Sequence, residues 1–227
     1  MTIKQIIIAT FILAITPLQM AASQGSDFSI SGDITGISDY RFRGVSLTSK
    51  NPAVQGTLTV EHSSGFYVSA WGTNISEFNG ANTEFDFMAG YVFSLDNDVS
   101  IDIGVMEYTY PGGTGTNYFE IYGSASMPVG IGEFSVGVNY TLSQTNIGGT
   151  DDIYIFTSYS MPLLDTGLNV NTYIAYEDGA FGNEKLDWAL GLSYDIEKFT
   201  VGVDYIDTNL GAGNGAATAV GYVTFSF

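Results

Sequence analysis

The sequence predicts an all-β fold, a transmembrane antiparallel β-barrel of about 12 strands with both termini periplasmic. Three observations predict it. The N-terminus has the order of an export signal, apolar and polar residues alternate along most of the chain, and tight turns alternate with longer polar loops.

Composition narrows the function classes. The 227 residues are 45% hydrophobic and 13% charged, with 24 acids against 6 bases and a formal net charge of -18. That apolar content is too high for a disordered chain, and so few bases exclude a nucleic-acid partner, which needs clustered Lys and Arg. A single His and no Cys exclude a disulfide scaffold and zinc sites built on several Cys or His ligands. No metal or cofactor is expected.

The first element is a targeting segment. Lys4 precedes an apolar stretch over residues 6–18, and the small residues Ala21, Ala22 and Ser23 follow. Residues 1–22 are read as a signal peptide cleaved near Ala22/Ser23, and residues 23–227 as one outer-membrane barrel domain.

Twelve alternating segments follow, at approximately 27–43, 52–63, 65–75, 83–94, 98–109, 116–127, 132–143, 151–161, 167–177, 184–195, 198–207 and 216–227. Each is long enough for a tilted membrane strand, which needs about 9–11 residues. Connections after even-numbered segments are tight, as at Ser64 and Ile196-Glu197. Those after odd-numbered segments are longer, as in 76–82, 110–115, 144–150 and 208–215. In the last segment Phe225 and Phe227 share a face, the pattern of a C-terminal signal read by the barrel assembly machinery.

A secreted β-sandwich also has alternating strands, but aromatic placement argues against it. Tyr40, Phe42, Tyr108, Tyr110, Tyr140, Tyr176, Trp188 and Tyr205 fall towards the outer segment ends, and Phe66, Phe93, Phe134, Phe199 and Phe227 towards the inner ends. Two aromatic bands are expected at the two interfaces of a membrane barrel.

The stretch Ser38-Asp39-Tyr40-Arg41-Phe42-Arg43-Gly44-Val45-Ser46 resembles the opening signature of the TorF family of porins. The resemblance continues through Pro52-Ala53-Val54-Gln55-Gly56, His62-Ser63-Ser64-Gly65-Phe66-Tyr67 and Trp71-Gly72-Thr73-Asn74-Ile75. Gly90-Tyr91, Tyr108-Thr109-Tyr110-Pro111-Gly112, Asn117 and Glu120 extend it. It implies an outer-membrane barrel of porin type and no catalytic or ligand residues.

If the apolar face meets lipid, the opposite face lines a lumen. That register turns Asp33, Asp39, Arg41, Arg43, Glu84, Asp86, Asp102, Glu120, Asp187 and Asp204 inward, together with Glu61, Asp152 and Glu177. A wall so rich in carboxylates concentrates cations and excludes anions. The expected function is a porin-like channel of the bacterial outer membrane for passive diffusion of small hydrophilic solutes, with a preference for cations. The alternative is a non-conducting structural or surface-interaction barrel, in which Arg41 and Arg43 pair with the acids and close the lumen. Expected partners are outer-membrane lipid and lipopolysaccharide, the assembly machinery and small ions or solutes. No feature identifies a subunit interface.

Catalysis finds little support. His62 lies beside Ser63 and Ser64, but no Gly-x-Ser-x-Gly elbow presents either serine. Asp96, Asp98, Ser100 and Glu107 follow a calcium-loop count, yet Ile101 stands where that loop needs glycine. Residues 211–215 read as a flexible loop. Asp151, Asp152, Asp178 and Asp207 read as solvated charge near the outer loops.

Overall fold

The computed structural model describes residues 27–95 and 98–227; the predicted signal segment and Asp96 lie outside them. Strand β1 (Phe28–Ile37) is followed by the short strands β2 (Arg41–Phe42) and β3 (Val45–Ser46). Then come β4 (Ala53–His62), β5 (Phe66–Phe78), β6 (Ala81–Ser94), β7 (Ser100–Thr109) and β8 (Tyr118–Val129). The chain continues through β9 (Gly132–Thr141), β10 (Asp152–Pro162), β11 (Leu168–Gly179), β12 (Lys185–Ile196), β13 (Phe199–Thr208) and β14 (Thr218–Ser226).

All of these except β2 and β3 form one closed antiparallel barrel of 12 strands. Strand β1 pairs with β4 on one side and with β14 on the other. At that seam the amide of Gly32 donates to the Phe227 carbonyl at 3.1 Å, and Phe227 donates back to Gly32 at 3.0 Å. Closure leaves no unpaired sheet edge, the condition for strands to cross a hydrocarbon layer.

Residue parity decides the two faces. On β12, Leu186, Trp188, Leu190 and Leu192 are exposed, whereas Lys185, Asp187, Ala189, Gly191 and Ser193 are buried. Withdrawing each such apolar side chain from water is worth about 1.5–3 kcal/mol, so this outer face favours a hydrocarbon surround. Phe66, Phe199 and Phe227 are exposed at the end with the short turns, which is also the end where β1 begins and β14 stops. Gly65 makes one of those turns, at φ 98°, where its carbonyl accepts from the Val92 amide.

Three sequence expectations need correction. The first segment does not run to residue 43: β1 stops at Ile37 and residues 38–52 fold inward as the β2–β3 hairpin. The expected loop over 76–82 is a two-residue Asn79-Gly80 turn with φ 49° and 95°, the left-handed pair that hairpins favour. Half of the outer aromatic band is not on the outer face of the barrel. Tyr40, Tyr108 and Tyr110 are buried inside, with Phe42 packed against them. Tyr108 shares parity with Asp102 and Met106, while Ile103 and Val105 take the outer face of β7.

Glycines on the inner face leave room for aromatic side chains that lie flat on the wall. A Cβ at Gly104 would collide with the Tyr122 ring and hydroxyl and with the Ala89 carbonyl. Gly104→Val is expected to cost about 1–3 kcal/mol. The check is the urea midpoint of the refolded barrel, with Gly221→Val, a site that has open space around it, as the control.

Candidate functional site

The hairpin of residues 38–52 is organised by Asp39. Its carboxylate accepts from Ser46 Oγ at 2.5 Å, Thr48 Oγ1 at 3.0 Å and Arg41 Nε at 2.8 Å. Arg41 also donates to the Gly44 carbonyl at 2.9 Å, which ties the tip to its base. Gly44 has φ 80°, and a side chain there would collide with Asp187 and Thr208. Arg43 at φ 49°, Ser49 at 52° and Lys50 at 64° hold left-handed backbone without being glycine. Such conformations persist only where surrounding contacts over-determine them.

Those contacts come from the far wall. Arg43 Nη2 donates to Glu120 on β8 at 2.5 Å. Its Nη1 reaches Glu177 on β11 at 2.7 Å and Asp152 on β10 at 3.2 Å. All three carboxylate side chains are fully buried. Lys185 on β12 pairs with Glu177 and donates to the Arg43 carbonyl at 2.8 Å. The guanidinium lies over the rings of Phe42 and Tyr154, with Cζ 4.7 and 4.5 Å from their centroids. Burial alone would pull the pKa of Arg43 down, but Glu120 and Glu177 outweigh it and the pKa rises well above the usual arginine value.

The remaining lone pairs are well used. Glu120 accepts from Tyr108 at 3.0 Å, Asn139 at 2.6 Å and Thr141 at 2.9 Å. Asp152 accepts from the Phe181 amide at 3.0 Å. Asp187 accepts from the Tyr154 hydroxyl at 3.1 Å. On the other side of the hairpin, Tyr40 packs on Trp71 with ring centroids 5.3 Å apart, and Phe42 packs on Tyr108 at 5.6 Å. The hairpin thus spans the lumen from β5 and β7 to β12 and β13.

The predicted inward residues are not one site. Arg43 and Glu120 meet directly, Asp39 binds Arg41, and Asp187 lies against the hairpin tip. Glu84 accepts from the Tyr110 hydroxyl at 2.7 Å. Asp86 is fully buried, and among the described residues neither of its oxygens has a hydrogen-bond partner. Asp102 accepts from Tyr67 at 3.0 Å, and Tyr67 in turn meets the Tyr122 hydroxyl. Asp204 fills the space left by Gly191, and Asp33 is half-buried on β1. Arg41 and Arg43 reach the interior through the hairpin, not through the register of a continuous first strand. Lys185, two residues before Asp187 on the same face of β12, joins the group without being among the inward residues that alternation predicts.

Phe225 and Phe227 carry outward rings 6.2 Å apart at the seam, and Phe199 adjoins Phe225 at 5.1 Å. His62 points outward at a turn, its Nδ1 2.7 Å from Ser64 Oγ and stacked edge-on with Phe28. Among the described residues, no group of three or more His, Cys, Asp or Glu side chains is placed to hold a metal ion.

The sequence profile of a family described as "Bacterial protein of unknown function (Gcw_chp)" matches residues 21–224. No curated protein matches the chain. Among solved structures, a KdgM porin is similar with a TM-score of 0.63 at 13% identity, covering 87% of this chain and 99% of that one. A NanC porin gives 0.57 at 14% identity, over 86% and 98% of the two chains. At these identities the likeness is one of fold.

Arg43→Met leaves three buried carboxylates facing Lys185 alone and is expected to cost about 3–5 kcal/mol. Adding Glu120→Gln restores part of that loss. Urea unfolding of both single variants and the double variant should therefore give a non-additive cycle; additive losses would mean that Arg43 and Glu120 are not coupled.

Proposed function

The chain belongs to the Gcw_chp family of bacterial proteins of unknown function, and from that premise we propose that it is an outer-membrane channel for passive diffusion of small hydrophilic solutes, with a preference for cations. The observation that carries the reading is the two-faced wall: an apolar exterior closed on itself around an interior in which carboxylates outnumber bases. The fold shared with the KdgM and NanC porins supports it. So does the resemblance to TorF porins, whose opening signature coincides here with the hairpin in the lumen. In this reading the short turns and both termini face the periplasm, the longer loops face outward among lipopolysaccharide, and Phe225 and Phe227 form the assembly signal. No residue is assigned a catalytic role.

Cation preference follows from where the bases are. Arg43 and Lys185 are held by Glu120, Asp152 and Glu177, and Arg41 is held by Asp39. Among the described residues Asp102 and Asp204 form no salt bridge, so theirs are wall carboxyls that no base of the chain occupies.

A second reading, a non-conducting barrel, is favoured by the hairpin that crosses the lumen. Refolded mature protein in a planar bilayer under a KCl gradient separates the two. Small discrete steps with a cation-selective reversal potential are expected, and the Asp102→Asn/Asp204→Asn variant should lose roughly half of that potential. A folded barrel without steps would leave the structural reading standing, and anion selectivity would overturn the assignment of the wall.

A further inference from the structure

We propose that Glu120, Asp152 and Glu177 form a binding site for an organic cation of the guanidinium class, and that Arg43 is its built-in occupant, so that a guanidinium-bearing solute competes with the hairpin for the site.

The geometry of Arg43 is that of a bound ligand. Two nitrogens of one planar group contact three carboxylates on three different strands, at 2.5, 2.7 and 3.2 Å. A planar fork that donates along several directions suits guanidinium better than a compact ammonium. The Tyr154 ring, on the wall itself, covers one face of the cation, as aromatic rings do in cation recognition. The carboxylates are oriented without help from Arg43: Tyr108, Asn139 and Thr141 hold Glu120, and the Phe181 amide holds Asp152. Lys185 offsets one of the three charges through Glu177. With Arg43 withdrawn, two negative charges would remain unpaired in a preformed pocket.

The occupant is also built to leave. The hairpin is organised internally around Asp39. Its tip is fixed to the far wall by side chains, together with the single Lys185 bond to the Arg43 carbonyl. Its return arm carries left-handed backbone at Ser49 and Lys50, which relaxation of the hairpin would relieve. Exchange of one guanidinium for another keeps the charge of the site constant. An anion or a neutral solute gains no such exchange.

The proposal rests on the channel reading only for the solute's route to the site. Binding is therefore measured without conduction, on the full mature chain refolded in detergent. In Arg43→Ala, millimolar guanidinium chloride is expected to raise the thermal midpoint by about 5 °C over an equal concentration of NaCl. The same salt should leave Arg43→Ala/Glu120→Gln unshifted. In bilayers, the opened Arg43→Ala channel should return towards parental conductance when guanidinium is added. An equal response of Arg43→Ala to guanidinium and sodium would overturn the proposal. A thermal response in a barrel that never conducts would keep the site and remove the channel. Should Arg43→Ala not refold, the parental protein supplies the test through tryptic cleavage after Arg43, read by mass spectrometry. Guanidinium should accelerate that cleavage by displacing the hairpin, and unchanged protection would count against the site.

Discussion

A guanidinium at the tip of a hairpin, shared among carboxylates on three strands, is the constraint on which the interior of this barrel depends. Each charge in that group would be costly to bury alone, since removing one partner of a buried pair typically costs about 3–5 kcal/mol. The group is tolerated because Arg43 and Lys185 nearly balance Glu120, Asp152 and Glu177, and because hydroxyl, amide and backbone donors satisfy the remaining oxygens. Around this point Tyr40, Trp71, Met106, Tyr108 and Tyr118 pack as an aromatic-rich layer. The hairpin narrows the lumen at this level.

The outer face obeys a simpler rule. Its side chains alternate with the inner ones, and their burial is left to the surrounding medium. Inward glycines then solve a local problem of space, since Tyr67, Tyr122, Phe156 and Tyr222 lie over Gly90, Gly104, Gly137 and Gly202. Aromatic side chains and strand backbone are interlocked in this way without disturbing the outer face.

Much of this was legible in the chain. Alternation in residues such as 186–194 set strand, face and register together, because a slip of one residue would turn every apolar side chain inward. The barrel's strand count was readable for the same reason. The hairpin was not, since Tyr40 and Phe42 continue an alternating pattern in a segment that leaves the sheet. What ends β1 is tertiary: Asp39 gathers hydroxyls seven and nine residues away, and Arg43 finds acids more than seventy residues distant. Periodicity carries no information about such partners. Glu120 and Asp187 are both buried, but parity alone could not say that one is held by Arg43 and the other rests against Gly44.

The position of the hairpin in the chain has a consequence for how the barrel is built. It follows the first strand, yet its partners on β8, β10 and β11 lie 77, 109 and 134 residues further along. Its root is tied to the last strand, where the Ser38 amide donates to the Gly221 carbonyl. Contacts of such sequence separation form late, after the intervening loop entropy has been lost. Seating the hairpin and closing the seam therefore draw on the same late contacts, since both depend on β14, and the strand made last holds the root of the segment that follows the first.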